Sequence, residues 1–199
     1  MPSMAEGARK PTDPVLFFAT QGEWEKWLEE HHGDAAGVWF RIPRAGSGTD
    51  GVDYAHALES ALCYGWIDGQ KKKLDERHWL QRFTPRRSGS KWSKVNREKA
   101  VALIDSGRMR PAGQREVDRA KADGRWDAAY ASQSRSTVPD DLRAALDAEP
   151  GAAAAFFDTL DSRNRYAILY RVEDAKKPGT RAARIEKFVA MLARGEKLH

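Results

Sequence analysis

A chain of 199 residues, 41% hydrophobic and with seven tryptophans, is apolar enough to fold around a core as one domain, or one domain with a small appended module, and is not intrinsically disordered. A charged fraction of 32% with no long apolar run excludes a membrane-spanning helix, so no membrane insertion is expected. The formal charge of +5 is local: between Lys71 and Lys99 eleven cations face three acids, which makes this stretch +8 and the remainder −3.

Residues 1–14 carry Pro, Gly, Ser and charge without periodicity and read as a disordered tail. No apolar core follows their basic residues, so no secretory signal is expected and the cytoplasm is the expected compartment. Order begins at Val15–Phe18. Thr20 and Glu23 have the spacing of a capping box and predict a helix through Trp24, Trp27 and Leu28, ending at His31–Gly33. Val38, Phe40 and Ile42 alternate with Trp39 and Arg41 at a period of two, which predicts a half-buried strand closed by Pro43. A glycine-rich loop, 45–51, follows.

Asp53 is placed to cap a helix whose apolar stripe is Tyr54, Ala57, Leu58, Ala61 and Leu62, and Gly65 stops it. Cys63 lies in this stretch and reads as a plain buried thiol; alone, it can form no intramolecular disulfide and supply no cysteine cluster for zinc. From Trp66 to Phe83 the pattern is that of strands. Asp68-Gly69 and Leu74–Arg77 are turn candidates, and Lys71–Lys73 is a solvated edge. The loop 84–90 feeds a helix starting near Ser93 and stopped by Gly107, and another runs from Pro111 to Gly124.

The polar run 131–137 reads as a linker, leaving an α+β domain over 15–130 and a helical C-terminal module over 138–199. The module's helices are predicted at 139–148, 150–160, 163–174 and from about Thr180 onward, with Ser162 as a cap. The expected fold is α+β: a small antiparallel sheet packed by helices, followed by that module.

The strongest chemical candidate is an anion site over Arg82–Asn96. A helix start exposes unpaired amides and partial positive charge, so Ser93 and Lys94 there favour a phosphate or carboxylate. Arg82, Arg86 and Arg87 supply guanidinium forks that match two oxyanion oxygens at once, Trp92 a face for a ring, and Asn96 an orienting amide. The same residues also have a structural reading, in which the arginines pair with surface acids, Trp92 is core and Asn96 satisfies a backbone carbonyl. A nucleic-acid face built from these cations with Trp79, Phe83 and Trp92 is a further reading, though no helix-turn-helix, zinc-finger or RNP-type string accompanies it.

An acid–base enzyme using Asp68, Asp75 or His78 is a third, whether hydrolase or transferase. There is no HExxH spacing, Walker loop, GxGxxG or GxSxG, so neither a metal nor a cofactor is expected. In the C-terminal module, Arg163, Asn164 and Arg165 precede an apolar helix. They read either as its solvated first turn or as groups completing the site.

Several strings resemble the YdeI/OmpD-associated family, also called the bacteriocin-protection family. They are ALCYGWIDG at 61–69, RFTPRR at 82–87, WSKVN at 92–96, GRMRPAG at 107–113, RNRYA at 163–167 and TRAARI at 180–185, together spanning nearly the whole chain from Val15. The resemblance implies a role in bacterial stress and in resistance to bacteriocins and antimicrobial peptides, with an outer-membrane porin as a partner by the family name alone. It brings no accepted catalytic residues. A basic chain repels cationic peptides, which disfavours resistance by sequestering them. The expectation is therefore a stress-protection protein that binds an anionic small molecule or nucleotide-like ligand, with nucleic acid or another protein as the alternative partner.

Overall fold

A computed structural model describes residues 13–148 and 151–199 and divides the chain into two compact units. One comprises residues up to Ser90 together with Glu98–Gly124; the other comprises Lys91–Arg97 and Arg125–His199. Of the predicted tail, residues 1–12 lie outside the described residues. Asp13 and Pro14 are fixed: the Pro14 carbonyl accepts from the Trp39 amide at 2.8 Å, and Asp13 holds Arg82.

In the first unit, the Thr20 hydroxyl accepts from the Glu23 amide at 3.2 Å and the Glu23 carboxylate accepts from the Ala19 amide at 2.8 Å. This reciprocal cap starts helix α1, Gln21–His31. The strands are β1 (Val15–Leu16), β2 (Val38–Pro43), β3 (Trp66–Lys73) and β4 (His78–Pro85), in the order β1-β2-β4-β3. β1 pairs parallel to β2 and the other pairs are antiparallel, so the sheet is mixed rather than wholly antiparallel. Because α1 carries the chain from β1 back to β2, the two strands run in the same direction.

Helix α2, Tyr54–Cys63, starts at Asp53, whose carboxylate accepts from the His56 amide at 2.9 Å, and stops before Gly65 at φ +76. Val38, Phe40 and Ile42 face inward as their alternation predicts. Trp24 meets Phe40 at 5.1 Å and Phe83 at 5.6 Å between ring centroids, and Trp27 stands edge-on to Trp66 at 5.6 Å. Both fully buried indoles find acceptors, Trp24 in the Ala57 carbonyl at 3.0 Å and Trp66 in the His32 carbonyl at 3.1 Å. Each such ring stabilises the unit by about 1.5–3 kcal/mol.

Helix α3, Lys94–Asp105, gives its first turn to the second unit and its remainder to the first, whose last helix is α4, Pro111–Ala122. Asp68-Gly69 is not a turn. It lies within β3 at a bulge between Asp68 and Lys71, and the chain reverses at 74–77.

The second unit holds α5 (Asp140–Ala148), α6 (Ala152–Thr159), α7 (Ser162–Asp174) and α8 (Pro178–Ala193). Leu142, Leu146, Phe157, Ile168, Val172 and Phe188 are among the residues of its core. The segment read as a linker, 131–137, belongs to this unit and contains a 3-10 turn, Gln133–Arg135. Lys91–Arg97 belongs here because the Lys94 amide donates to the Tyr130 carbonyl at 2.8 Å and the Tyr130 amide to the Trp92 carbonyl at 3.0 Å.

Candidate functional site

The seven residues predicted to hold an anion fall in both units: Arg82, Arg86 and Arg87 in the first, Trp92, Ser93, Lys94 and Asn96 in the second. Arg82, on β4, gives its Nε to the Asp13 carboxylate at 2.6 Å. Arg86 is 6% exposed, and its amide donates to the Gly65 carbonyl at 2.9 Å. Arg87 is exposed in a tight turn whose amide donates to Ser90 Oγ at 2.9 Å.

At the start of α3 the hydroxyl of Ser93 accepts from the Asn96 amide at 3.1 Å, so Ser93 is the cap the sequence indicated. Together with the Lys94 bond to Tyr130, this occupies two of the amides that the anion reading relied on. Trp92 is 2% exposed and packs against Trp126 at 4.9 Å, so its indole is part of the core. Lys94 is exposed and Asn96 half-buried.

In the second unit, Lys91, Lys94, Tyr130, Tyr170 and Arg181 line part of a hollow of about 370 Å3. Two of its cations already have acids: Lys91 donates to Asp174 at 2.5 Å, and Arg181 donates to Asp141 at 2.5 and 2.8 Å. Asp161 caps α7 in place of Ser162, accepting from the Asn164 amide at 2.8 Å. Asn164 is 2% exposed and exchanges hydrogen bonds with the backbone of His199, while Arg165 donates to the Phe157 and Asp158 carbonyls. These are packing roles.

A strongly cationic hollow lies at the hairpin end of the sheet in the first unit. Asp75 closes the 74–77 turn by accepting from the amides of Arg77 at 2.8 Å and His78 at 2.7 Å. Arg44 is fastened beside it through its amide to the Arg77 carbonyl at 2.8 Å. Across the bulge Asp68 pairs with Phe83 and Lys71 with Gln81, so Asp68 and Lys71 share a face despite their odd spacing. Lys73 pairs with Trp79, so the bulge sets Lys71 and Lys73 on the Trp79 face of the sheet.

The result is a recess of about 630 Å3 lined by Arg44, Ala45, Lys71, Lys72, Lys73 and Trp79. Its lining has four cations, no acid and one half-buried indole, but Lys72 turns its Nζ over the Trp39 ring at 4.3 Å, on the opposite face of the sheet. The lysines are exposed because β3 is an edge strand. Trp79 meets Tyr54 at 5.8 Å, and the Tyr54 hydroxyl donates to Asp68 at 2.8 Å, which steadies that wall. Neither Asp68 nor His78 lines the recess, so the acid–base candidates do not share it.

Like charges gathered in a concave surface repel one another and focus a positive potential, and an entering anion relieves both. From the sequence alone these lysines read as a solvated edge. The bulge that turns two of them onto the indole face has only the Gly69 signal in the sequence.

Among the described residues no group of three or more His, Cys, Asp and Glu is placed to hold a metal ion, and no helix is long and apolar enough to cross a membrane. The family model described as Domain of unknown function (DUF8412) matches residues 16–116, about half of the chain. The model described as Bacteriocin-protection, YdeI or OmpD-Associated matches residues 135–195. The resemblance read over nearly the whole chain thus resolves into two segments. RNRYA and TRAARI lie in the bacteriocin-protection match, and the strings between 61 and 113 lie in the other. No curated protein and no solved structure matches the chain.

Proposed function

Since the chain belongs to the family described as Domain of unknown function (DUF8412) and carries a bacteriocin-protection, YdeI or OmpD-associated segment at 135–195, we propose that it is a cytoplasmic stress-protection protein that works by binding an anionic small molecule. The ligand sits in the recess of Arg44, Lys71, Lys72, Lys73 and Trp79. The observation that carries this reading is the recess itself, where Lys71 and Lys73 share the Trp79 face of the sheet with Arg44 beside them and no acid in the lining. Lysine ammonium groups supply charge and Arg44 a planar fork for two oxygens. Trp79 offers apolar area to the organic part.

Isothermal titration of pyrophosphate and of nucleoside diphosphates tests it, against wild type, Lys71→Ala/Lys73→Ala and Arg87→Ala. A charge-assisted hydrogen bond contributes about 1.5–3 kcal/mol, so the double variant loses roughly tenfold or more in affinity while Arg87→Ala keeps it. Loss at Arg87 with retention in the double variant places the ligand instead in the Arg82–Asn96 stretch. Binding that requires a polynucleotide and falls steeply with added salt marks the protein as a nucleic-acid binder.

A further inference from the structure

Strand β3 has a neighbour on one side only. In the order β1-β2-β4-β3 it is the last strand, and among the described residues no strand pairs with its outer side. An edge strand turns every second N–H and C=O outward, where an extended chain can add to the sheet. Along β3 the run Gly69–Lys73 is exposed, while Trp66 is buried.

The bulge decides which part of this edge is regular. Gln81, 3% exposed, donates through Nε2 to the Gly69 and Gln70 carbonyls at 3.0 and 3.3 Å and so engages both from within the sheet. Past the bulge, Lys71, Lys72 and Lys73 pair in unbroken register with Gln81, Leu80 and Trp79. Lys71 and Lys73 stand on the Trp79 face, and Lys72 holds its Nζ 4.3 Å from the Trp39 ring centroid on the other. None of the three lysines has an ion pair among the described residues.

Charge sets which chain fits this edge. A second copy, paired in the register that uses all three residues, would set lysine opposite lysine, and like charges directly opposite are destabilising. An acidic strand reverses that sign. Its successive side chains alternate between the faces, so two acids one residue apart meet Lys71 and Lys73 while the acid between them meets Lys72. The 199 residues hold no run of three acids, so the matching segment comes from outside them.

We propose that the Lys71–Lys73 edge of β3 is a docking strand for an extended acidic peptide, a partner segment with three consecutive Asp or Glu residues that adds to the sheet beside β3. Leu74, 45% exposed directly after β3, receives an apolar residue flanking the acids. This surface is the outer edge rather than the recess, and it stands whether or not the recess takes a small anion.

Fluorescence anisotropy of a labelled peptide containing Val-Glu-Glu-Glu-Leu, titrated with the full chain, tests it. The same peptide N-methylated at its glutamate amides keeps its charge but cannot pair as a strand, and is expected to bind about tenfold or more weaker. Lys71→Glu/Lys72→Glu/Lys73→Glu is expected to lose the acidic peptide and to bind a Val-Lys-Lys-Lys-Leu peptide instead. Equal affinity for the methylated and unmethylated peptides overturns the proposal. Tighter binding of an oligothymidylate of the same charge also overturns it and assigns the lysines to a polynucleotide. No binding of the acidic peptide overturns it too, and pyrophosphate binding by the same preparation then leaves the recess reading in place.

Discussion

Gly113, in the first turn of α4, lies so close to the end of α2 that a Cβ built on it would stand 2.3 Å from the Cys63 carbonyl oxygen. The Leu62 carbonyl oxygen is 2.5 Å from the same point. Elsewhere in a helix, replacing glycine by alanine stabilises by about 0.5–1 kcal/mol, because glycine loses more backbone freedom on folding. Here the methyl group displaces backbone. Gly113→Ala is expected to destabilise by about 1–3 kcal/mol in urea titration. Gly89, with nothing within 4 Å of its Cβ position, is the control, and Gly89→Ala is expected to stay within about 0.5 kcal/mol of wild type. Equal midpoints for the two variants would mean that α4 does not press on α2.

Cys63 is 3% exposed, and burial pushes its thiol up to about 11. The thiolate, which is the reactive form, is therefore scarce at neutral pH and shielded from reagent. A disulfide reagent such as Ellman's is expected to leave the folded chain untouched over the time in which it titrates the denatured chain to completion. Rapid labelling without denaturant would contradict a buried thiol.

Local chemistry made much of this fold legible in the sequence. The Thr20 and Asp53 caps, the alternation at 38–42, the α2 stripe and the stop at Gly65 each rest on residues a few positions apart, and each stands where the pattern put it. What was not legible depends on register or on distant partners. The bulge that brings Lys71 and Lys73 to the Trp79 face needs the pairing of β3 with β4. The depth of Trp92 needs Trp126 and Tyr130, and the engagement of Arg82 needs Asp13. Which cations have internal partners is a tertiary fact, and on it rests the proposal that a ligand sits among the lysines rather than the arginines.

Arg82 offers a direct check on that proposal. Its Nε lies 2.6 Å from an Asp13 carboxylate whose side chain is only 9% exposed. Arg82→Ala leaves that carboxylate poorly solvated and without its cation, at an expected cost of about 1–3 kcal/mol. Because Arg82 does not line the recess, pyrophosphate affinity is expected to stay within about twofold of wild type, as for sites that share no partner. Urea titration and calorimetry on one preparation read both quantities. A stable variant with a tenfold weaker ligand would return Arg82 to the binding site.

The second unit carries the acid sensitivity that its ion pairs predict. Asp174 is held below the usual carboxylate range first by its hydrogen bond from Lys91, and Asp141 likewise by Arg181. For a carboxyl group whose folded value is depressed, the stabilisation is complete above the ordinary value of 3.8 and disappears as pH falls through the lower folded value. The Asp174 and Asp141 side chains are 31% and 47% exposed, so solvent screening limits each pair to about 0.2–1 kcal/mol. Asp174→Asn and Asp141→Asn are therefore expected to lower stability by that amount at pH 7. The gap to wild type should narrow below pH 3.8 as the native carboxyl groups take up protons and lose their charge. Urea midpoints measured from pH 7 down to pH 2.5 check the sign. A deficit that stays constant to the lowest pH would assign the loss to packing around α7 and α8 rather than to charge.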